Sequence, residues 1–112
     1  MKKIEAIIRP EKLAPVISAL ETIGCSGISI TEMEGHGKQR GVVQQWRGEK
    51  YTINTLPKVK IELVVPDKEV RKISAAIITN AKTGEMGDGK VFIYSVESAL
   101  RIRTGEEGEA AI

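Results

Sequence analysis

The sequence predicts an α+β fold in which an antiparallel sheet carries two helices on one face. Two observations predict it: strict apolar alternation in two separate stretches, and an apolar stripe at helical spacing after each of them. Ile4, Ala6 and Ile8 alternate with Lys3, Glu5 and Ile7 until Pro10 stops the run. From Leu13 the period changes: Val16, Ile17, Leu20 and Ile23 follow at helical spacing, and Gly24 supplies a C-terminal stop. Ile28 to Thr31 is β-branched and reads as extended.

The second alternation sets Val59, Ile61, Leu63 and Val65 against Lys58, Lys60, Glu62 and Val64. Pro66 ends it, and Asp67 is placed to cap a helix whose stripe is Val70, Ile73, Ile77 and Ala81. Val91 to Val96 is the last strand. The order β-α-β-β-α-β is the ferredoxin-like split βαβ arrangement. Ile7 beside Ile8, Val64 beside Val65 and Phe92 beside Ile93 place apolar residues on both sheet faces. A sheet face that the helices leave uncovered favours oligomerisation through it.

With 112 residues the chain is expected to form one domain, 1–112, and 41% apolar and 29% charged residues are ordinary for a soluble globule. A chain of this length buries roughly two-thirds of its unfolded surface, so a symmetric oligomer is an attractive source of further core. Seventeen basic against 15 acidic residues leave a net charge of +2, too small to draw the chain to nucleic acid or an anionic membrane. The single cysteine, Cys25, excludes an internal disulfide framework, and the single histidine, His36, excludes a two-histidine metal clamp. The opening MKKIEAIIRP is too short in apolar run and too soon charged for a secretory signal, which points to an intracellular protein.

Glycine-bearing connections carry the functional information. The stretch from Gly37 to Thr55 lacks a strong period, and loops beyond roughly 12–15 residues in a small domain are usually functional or disordered. It holds Lys38, Gln39, Arg40, Arg47 and the only tryptophan, Trp46, so it resembles a recognition finger more than a catalytic lid. Gly84 to Lys90 spells the first seven positions of a P-loop, but Val91 stands where magnesium would need Ser or Thr. The order is also helix, loop, strand, the reverse of a P-loop. The anion physics survives: glycines let backbone N–H groups approach a phosphate, and Lys90 adds a compact charge. A flexible connection explains the same residues equally well. Arg101 and Arg103, if extended, point the same way, whereas a solvated pair facing Glu106, Glu107 and Glu109 is the plainer reading. An exposed, salt-bridged face is the default for Lys58, Lys60 and Glu62.

T-G-E-M-G-D-G-K-V-F-I-Y-S-V at 83–96, L-P-K-V-K-I-E at 56–62, R-I-R-T-G-E-E at 101–107 and the opening I-I-R-P together resemble the PII nitrogen-regulatory signal-transduction family over essentially the whole chain. Trp46-Arg47-Gly48-Glu49-Lys50-Tyr51 keeps the arginine, glycine and last tyrosine of that family's other signature and changes the rest. The resemblance implies a cytoplasmic homotrimer, not an enzyme, that binds ATP or ADP, and 2-oxoglutarate with Mg2+ and ATP, in clefts between subunits. Residues 37–55 would be the T-loop, 82–90 the B-loop, and 101–112 the C-loop and tail. Gly87, Asp88, Gly89 and Lys90 would cradle phosphates with Arg101 and Arg103 from the adjoining subunit. Gly37, Lys38 and Gln39 would close over the nucleotide, and Ile7, Glu62 and Val64 would surround its base and ribose.

By the same resemblance Gln39 would ligate Mg2+, Lys58 would pair with a 2-oxoglutarate carboxylate, and Gly37, Gln39, Gly41 and Gly87 would approach that ligand. Effector occupancy would set T-loop conformation and thereby the choice of partner. Implied partners are an ammonium transporter, plugged by the loop with Arg47 at its tip beside Trp46 and Tyr51, and enzymes or regulators of nitrogen metabolism. The transporter would recruit the protein to the inner face of the membrane without insertion. Tyr51 is the position that a uridylyltransferase would modify. Two alternatives remain: a weak nucleotide hydrolase using the same site, and a single-stranded RNA binder displaying Phe92 and Tyr94 on one strand face.

Overall fold

The computed structural model describes residues 1–36, 42–46, 49–53 and 55–112, and the side chains of 1–34 and 56–112. The alternating runs become β1 (Lys2–Ile8) and β5 (Thr55–Val65), antiparallel neighbours with Ile4 opposite Leu63 and Ala6 opposite Ile61. β6 (Gly89–Ser95) pairs with the other edge of β1, and β2 (Ser29–His36) with the outer edge of β5, giving the order β2-β5-β1-β6. α1 (Leu13–Thr22) and α2 (Val70–Ala81) pack Val16, Leu20, Ile73 and Ile77 onto Ile4, Ala6, Ile8, Ile61 and Leu63. The expected split βαβ core is therefore present.

Local rules account for most boundaries. Gly24 adopts φ 87°, and Gly24 and Cys25 donate back to the carbonyls of Glu21 and Leu20, closing α1 in the glycine-dependent manner. Cys25 is half-buried against the core, and burial pushes its thiol pKa up. Asp67 is not a side-chain cap. The chain enters α2 through a 3-10 turn, Asp67–Glu69, and the Asp67 carboxylate lies 2.9 Å from the Met1 amino group instead. A full positive charge outcompetes backbone N–H groups for that carboxylate.

The segment read as aperiodic also contains regular structure. β3 (Val42–Trp46) and β4 (Glu49–Ile53) pair antiparallel as a separate two-stranded sheet, with Trp46 opposite Glu49. Both strands are rich in β-branched and aromatic residues, which favour extended backbone. No apolar alternation marks them because they are not strands of the core sheet. β2 and β5 also run longer than the periodicity shows, to His36 and from Thr55.

On the face away from the helices, register aligns Lys3 with Val64 and Tyr94, Glu5 with Glu62 and Phe92, and Ile7 with Lys60 and Lys90. Glu62 accepts Lys3 at 3.1 Å and Lys60 at 3.4 Å, and the Lys3 ammonium sits 5.0 Å from the Tyr94 ring centroid. Phe92 and Tyr94 are exposed there among the charges.

Candidate functional site: the 83–90 loop and the end of the central strand

The loop that leaves α2 returns to the sheet at Gly89, directly opposite Ile8 of β1. At Gly89 φ is 101°, and a Cβ would fall 1.7 Å from the Ile7 carbonyl oxygen, so only glycine permits this close approach. Asp88 binds the entrance of the same loop. Its carboxylate accepts the backbone N–H groups of Thr83 and Gly84, each at 2.9 Å, and the Thr83 hydroxyl. It also accepts Arg9 Nε at 3.0 Å. Together these donors hold the Asp88 carboxyl far below the usual aspartate range.

Two cations from the sheet reach the loop's carbonyl groups. Arg9 Nη2 donates to Met86 O at 2.7 Å, and Lys58 Nζ donates to Gly87 O at 2.6 Å. Lys58 is only 9% exposed, so it departs from the solvated face that Lys60 and Glu62 do form. Desolvation, and then the neighbouring Arg9 charge, push the Lys58 pKa down. The loop is thus shaped before any ligand arrives, with Lys90 exposed at its exit and Ile7 opposite. Recruitment of the Lys58 ammonium by a carboxylate would release Gly87.

A second cluster lies further back along the strands. Lys3, Ser29, Glu62, Val64, Arg101 and Ile112 line a cleft of 510 Å³. The R-I-R segment is not extended. Gly105 N–H donates to Arg101 O in a turn, and Arg101 Nη1 donates to Glu106 Oε1 at 2.9 Å, where Thr104 Oγ1 also donates. The glycine at 105 lets the chain reverse at φ 74°, so the two arginines do not share one side of a strand. Arg103 is exposed within that turn.

The structure thus brings together Ile7, Lys58, Gly87, Asp88, Gly89 and Lys90 in one place, and Glu62, Val64 and Arg101 in another. Gly37, Lys38, Gln39, Gly41 and Arg47 lie outside the described residues, and of Trp46 and Tyr51 only the strand backbone is described. Arg9 is the residue that sequence reasoning missed. The I-I-R-P opening contains it, but nothing in spacing ties it to a partner 79 positions away.

This architecture has known counterparts. The family model described as "Nitrogen regulatory protein P-II" matches residues 1–106. The chain belongs to the P-II family. Over 112 residues it is 55% identical to nitrogen regulatory protein P-II of Haemophilus influenzae and 51% identical to nitrogen regulatory protein P-II 1 of Escherichia coli K12, covering all of each chain. A P-II 2 protein of Methanothermobacter thermautotrophicus is 51% identical, with all of this chain matched to 97% of that one. The crystal structure of Arabidopsis thaliana PII bound to citrate superposes with a TM-score of 0.81 at 38% identity, covering 99% of this chain and 91% of that one.

As a P-II protein the chain is a nitrogen regulatory signal protein and not an enzyme, in keeping with the names of its relatives. Among the described residues, no helix is long and apolar enough to cross a membrane, and no group of three or more His, Cys, Asp or Glu side chains could hold a metal ion.

Proposed function

We propose that this P-II protein forms a homotrimer that binds ATP or ADP between subunits, takes 2-oxoglutarate together with Mg2+ and ATP, and transmits occupancy through the T-loop, residues 37–55. One observation supports the proposal: the candidate anion-binding residues of each chain fall in two separated clusters. The rows Ile7–Lys90 and Lys3–Val64 stand four residues apart on β1, roughly 13 Å. Lys90 belongs to the first row, and Arg101 lines a cleft with the second. A neighbouring copy that sets its Glu62, Val64, Arg101 and Arg103 against the 82–90 B-loop would put both clusters on one nucleotide. The exposed Phe92 and Tyr94 give that neighbour apolar surface to bury.

In this arrangement the backbone of Gly87, Asp88 and Gly89 and the Lys90 ammonium face phosphate. The Asp88 side chain keeps its partners and shapes the loop. Lys58 exchanges the Gly87 carbonyl for a carboxylate of 2-oxoglutarate, a stronger charge-assisted partner. The citrate held by the Arabidopsis relative is an anion of the same polycarboxylate class. Gln39, a neutral oxygen donor, would hold Mg2+, and Gly37, Lys38 and Gly41 would close the base of the T-loop. When bound, the metal would supply positive charge to offset the anionic effectors. Each effector favours the loop state it binds more tightly, and partners read that population through Trp46, Arg47 and Tyr51. Such partners are an ammonium transporter at the inner membrane face and cytoplasmic enzymes or regulators of nitrogen metabolism, with Tyr51 open to uridylylation.

Isothermal titration tests the reading. ATP should bind with Mg2+ present, and 2-oxoglutarate should bind only when both accompany it. Lys58→Ala should abolish the 2-oxoglutarate step, and Arg103→Ala should weaken the nucleotide step. Absence of any heat with ATP would refute the proposal.

A further inference from the structure

We propose that Arg9 is a positioning residue for the anion site: it holds the 83–90 loop in its receiving shape while Gly87, Gly89, Lys90 and Lys58 meet the ligand. This rests on the nucleotide reading above and adds to it a residue at the end of β1.

The placement follows from the backbone. Arg9 comes after the last residue of β1 and before Pro10, and it is extended at φ −65° and ψ 140°. Proline disfavours the helical region for the residue preceding it, so the direction in which the chain leaves β1 is restricted. Because Ile8 stands opposite Gly89, the guanidinium reaches the residues just before Gly89. Its side chain is 15% exposed, which keeps water from competing strongly for its hydrogen bonds.

One planar group then ties both limbs of the loop. Nη2 takes the Met86 carbonyl at 2.7 Å, and Nε takes Asp88 Oδ1 at 3.0 Å. Asp88 in turn holds Thr83 and Gly84, so the helix exit, the loop crest and the strand entrance converge on a single guanidinium. Charge gives Arg9 a second effect. Without Arg9, the Asp88 carboxylate stands uncompensated beside a site meant for anions. A lysine at position 9 restores the charge but not the two-pronged geometry.

The test uses the full chain with ATP and Mg2+ as probe. Arg9→Gln should weaken ATP about tenfold or more, Arg9→Lys should fall between it and the parent, and adding Asp88→Asn to Arg9→Gln should cause no further loss. In Arg9→Gln the Asp88 carboxyl carbon should titrate at higher pH, and the Thr83 and Gly84 amides should exchange faster. An Arg9→Gln protein that binds ATP within twofold of the parent would overturn the proposal. If that variant does not fold, Arg9→Lys binding as the parent does, with unchanged Thr83 and Gly84 exchange, would overturn it equally. Failure of the parent to bind ATP would instead refute the nucleotide reading, and this inference with it.

Discussion

Lys58 and Gly87 are 29 positions apart in the chain, and the Lys58 ammonium donates to the Gly87 carbonyl across 2.6 Å. A strand in the middle of the sheet therefore holds the glycine-rich loop by a buried cation. The same ammonium is the group that the proposed mechanism offers to a carboxylate. Under that proposal, structural support and ligand recognition compete for one side chain, which would let a small anion alter the loop.

Lys58→Met should destabilise the protein, because the Gly87 carbonyl loses its donor at a site with little water; the expected cost is about 1–3 kcal/mol. Folding lowers the Lys58 pKa, so the unfolded chain binds the extra proton. Stability should rise as pH climbs from the folded pKa to the ordinary lysine value, and Lys58→Met should remove that rise. Urea unfolding across the alkaline range measures both effects.

Asp88 predicts the opposite limb. Its carboxyl pKa is depressed in the fold, chiefly by Thr83 and with further help from Gly84 and Arg9. The stabilisation is present above the unfolded aspartate pKa and is lost as pH falls through the folded one. Asp88→Asn should lower Tm at neutral pH by several degrees and leave Tm less dependent on pH in the acid range. Thermal unfolding followed by circular dichroism as a function of pH checks it.

Gly89 and Gly84 form a paired test. Both have positive φ, at 101° and 92°, but a Cβ at Gly84 meets nothing within 4 Å whereas one at Gly89 meets the Ile7 carbonyl at 1.7 Å. Gly84→Ala should cost about 1–2 kcal/mol for the backbone conformation alone. Gly89→Ala should cost about 1–3 kcal/mol more, for overpacking, and should separate β6 from the end of β1. Denaturant midpoints and the Ile8 amide exchange rate distinguish the two.

Trp46 is the only tryptophan and belongs to β3. If effectors act through residues 37–55, its fluorescence should change on adding Mg2+, ATP and 2-oxoglutarate together. The change should be absent in Lys58→Ala when 2-oxoglutarate is the last component added. Steady-state emission with stepwise addition of each component is sufficient.

Six core elements were legible, most plainly where apolar residues repeat at the period of a strand or a helix, as Ile4, Ala6 and Ile8 do in β1 and Val70, Ile73 and Ile77 in α2. The β3–β4 hairpin was not, since it pairs outside the core sheet and carries no core-facing alternation. Asp67 has the residue type and spacing of a cap, yet an amino group distant in sequence takes its carboxylate. The glycine-rich connection ahead of β6 was legible from its composition, but the close approach of Gly89 to Ile7 was not. Arg9 was not, because an arginine before a proline has no local signature of a tertiary partner. Lys58 and Lys60 look alike in an alternating strand, and only the loop lying over one of them makes it buried.

The order of residues alone determined the two helices, the four-stranded core and the placement of a glycine-rich connection ahead of the last strand, for these follow from short-range periodicity and backbone preference. Tertiary structure decided which polar groups are already engaged. Arg9 and Asp88 hold each other, Lys58 holds Gly87, Arg101 holds Glu106, and Lys90 stands exposed. For the loop contacts the physical reason is register. Pairing β1 with both β5 and β6 brings Arg9, Lys58 and the 83–90 loop within hydrogen-bonding distance, and no pattern within any one of those segments encodes that meeting.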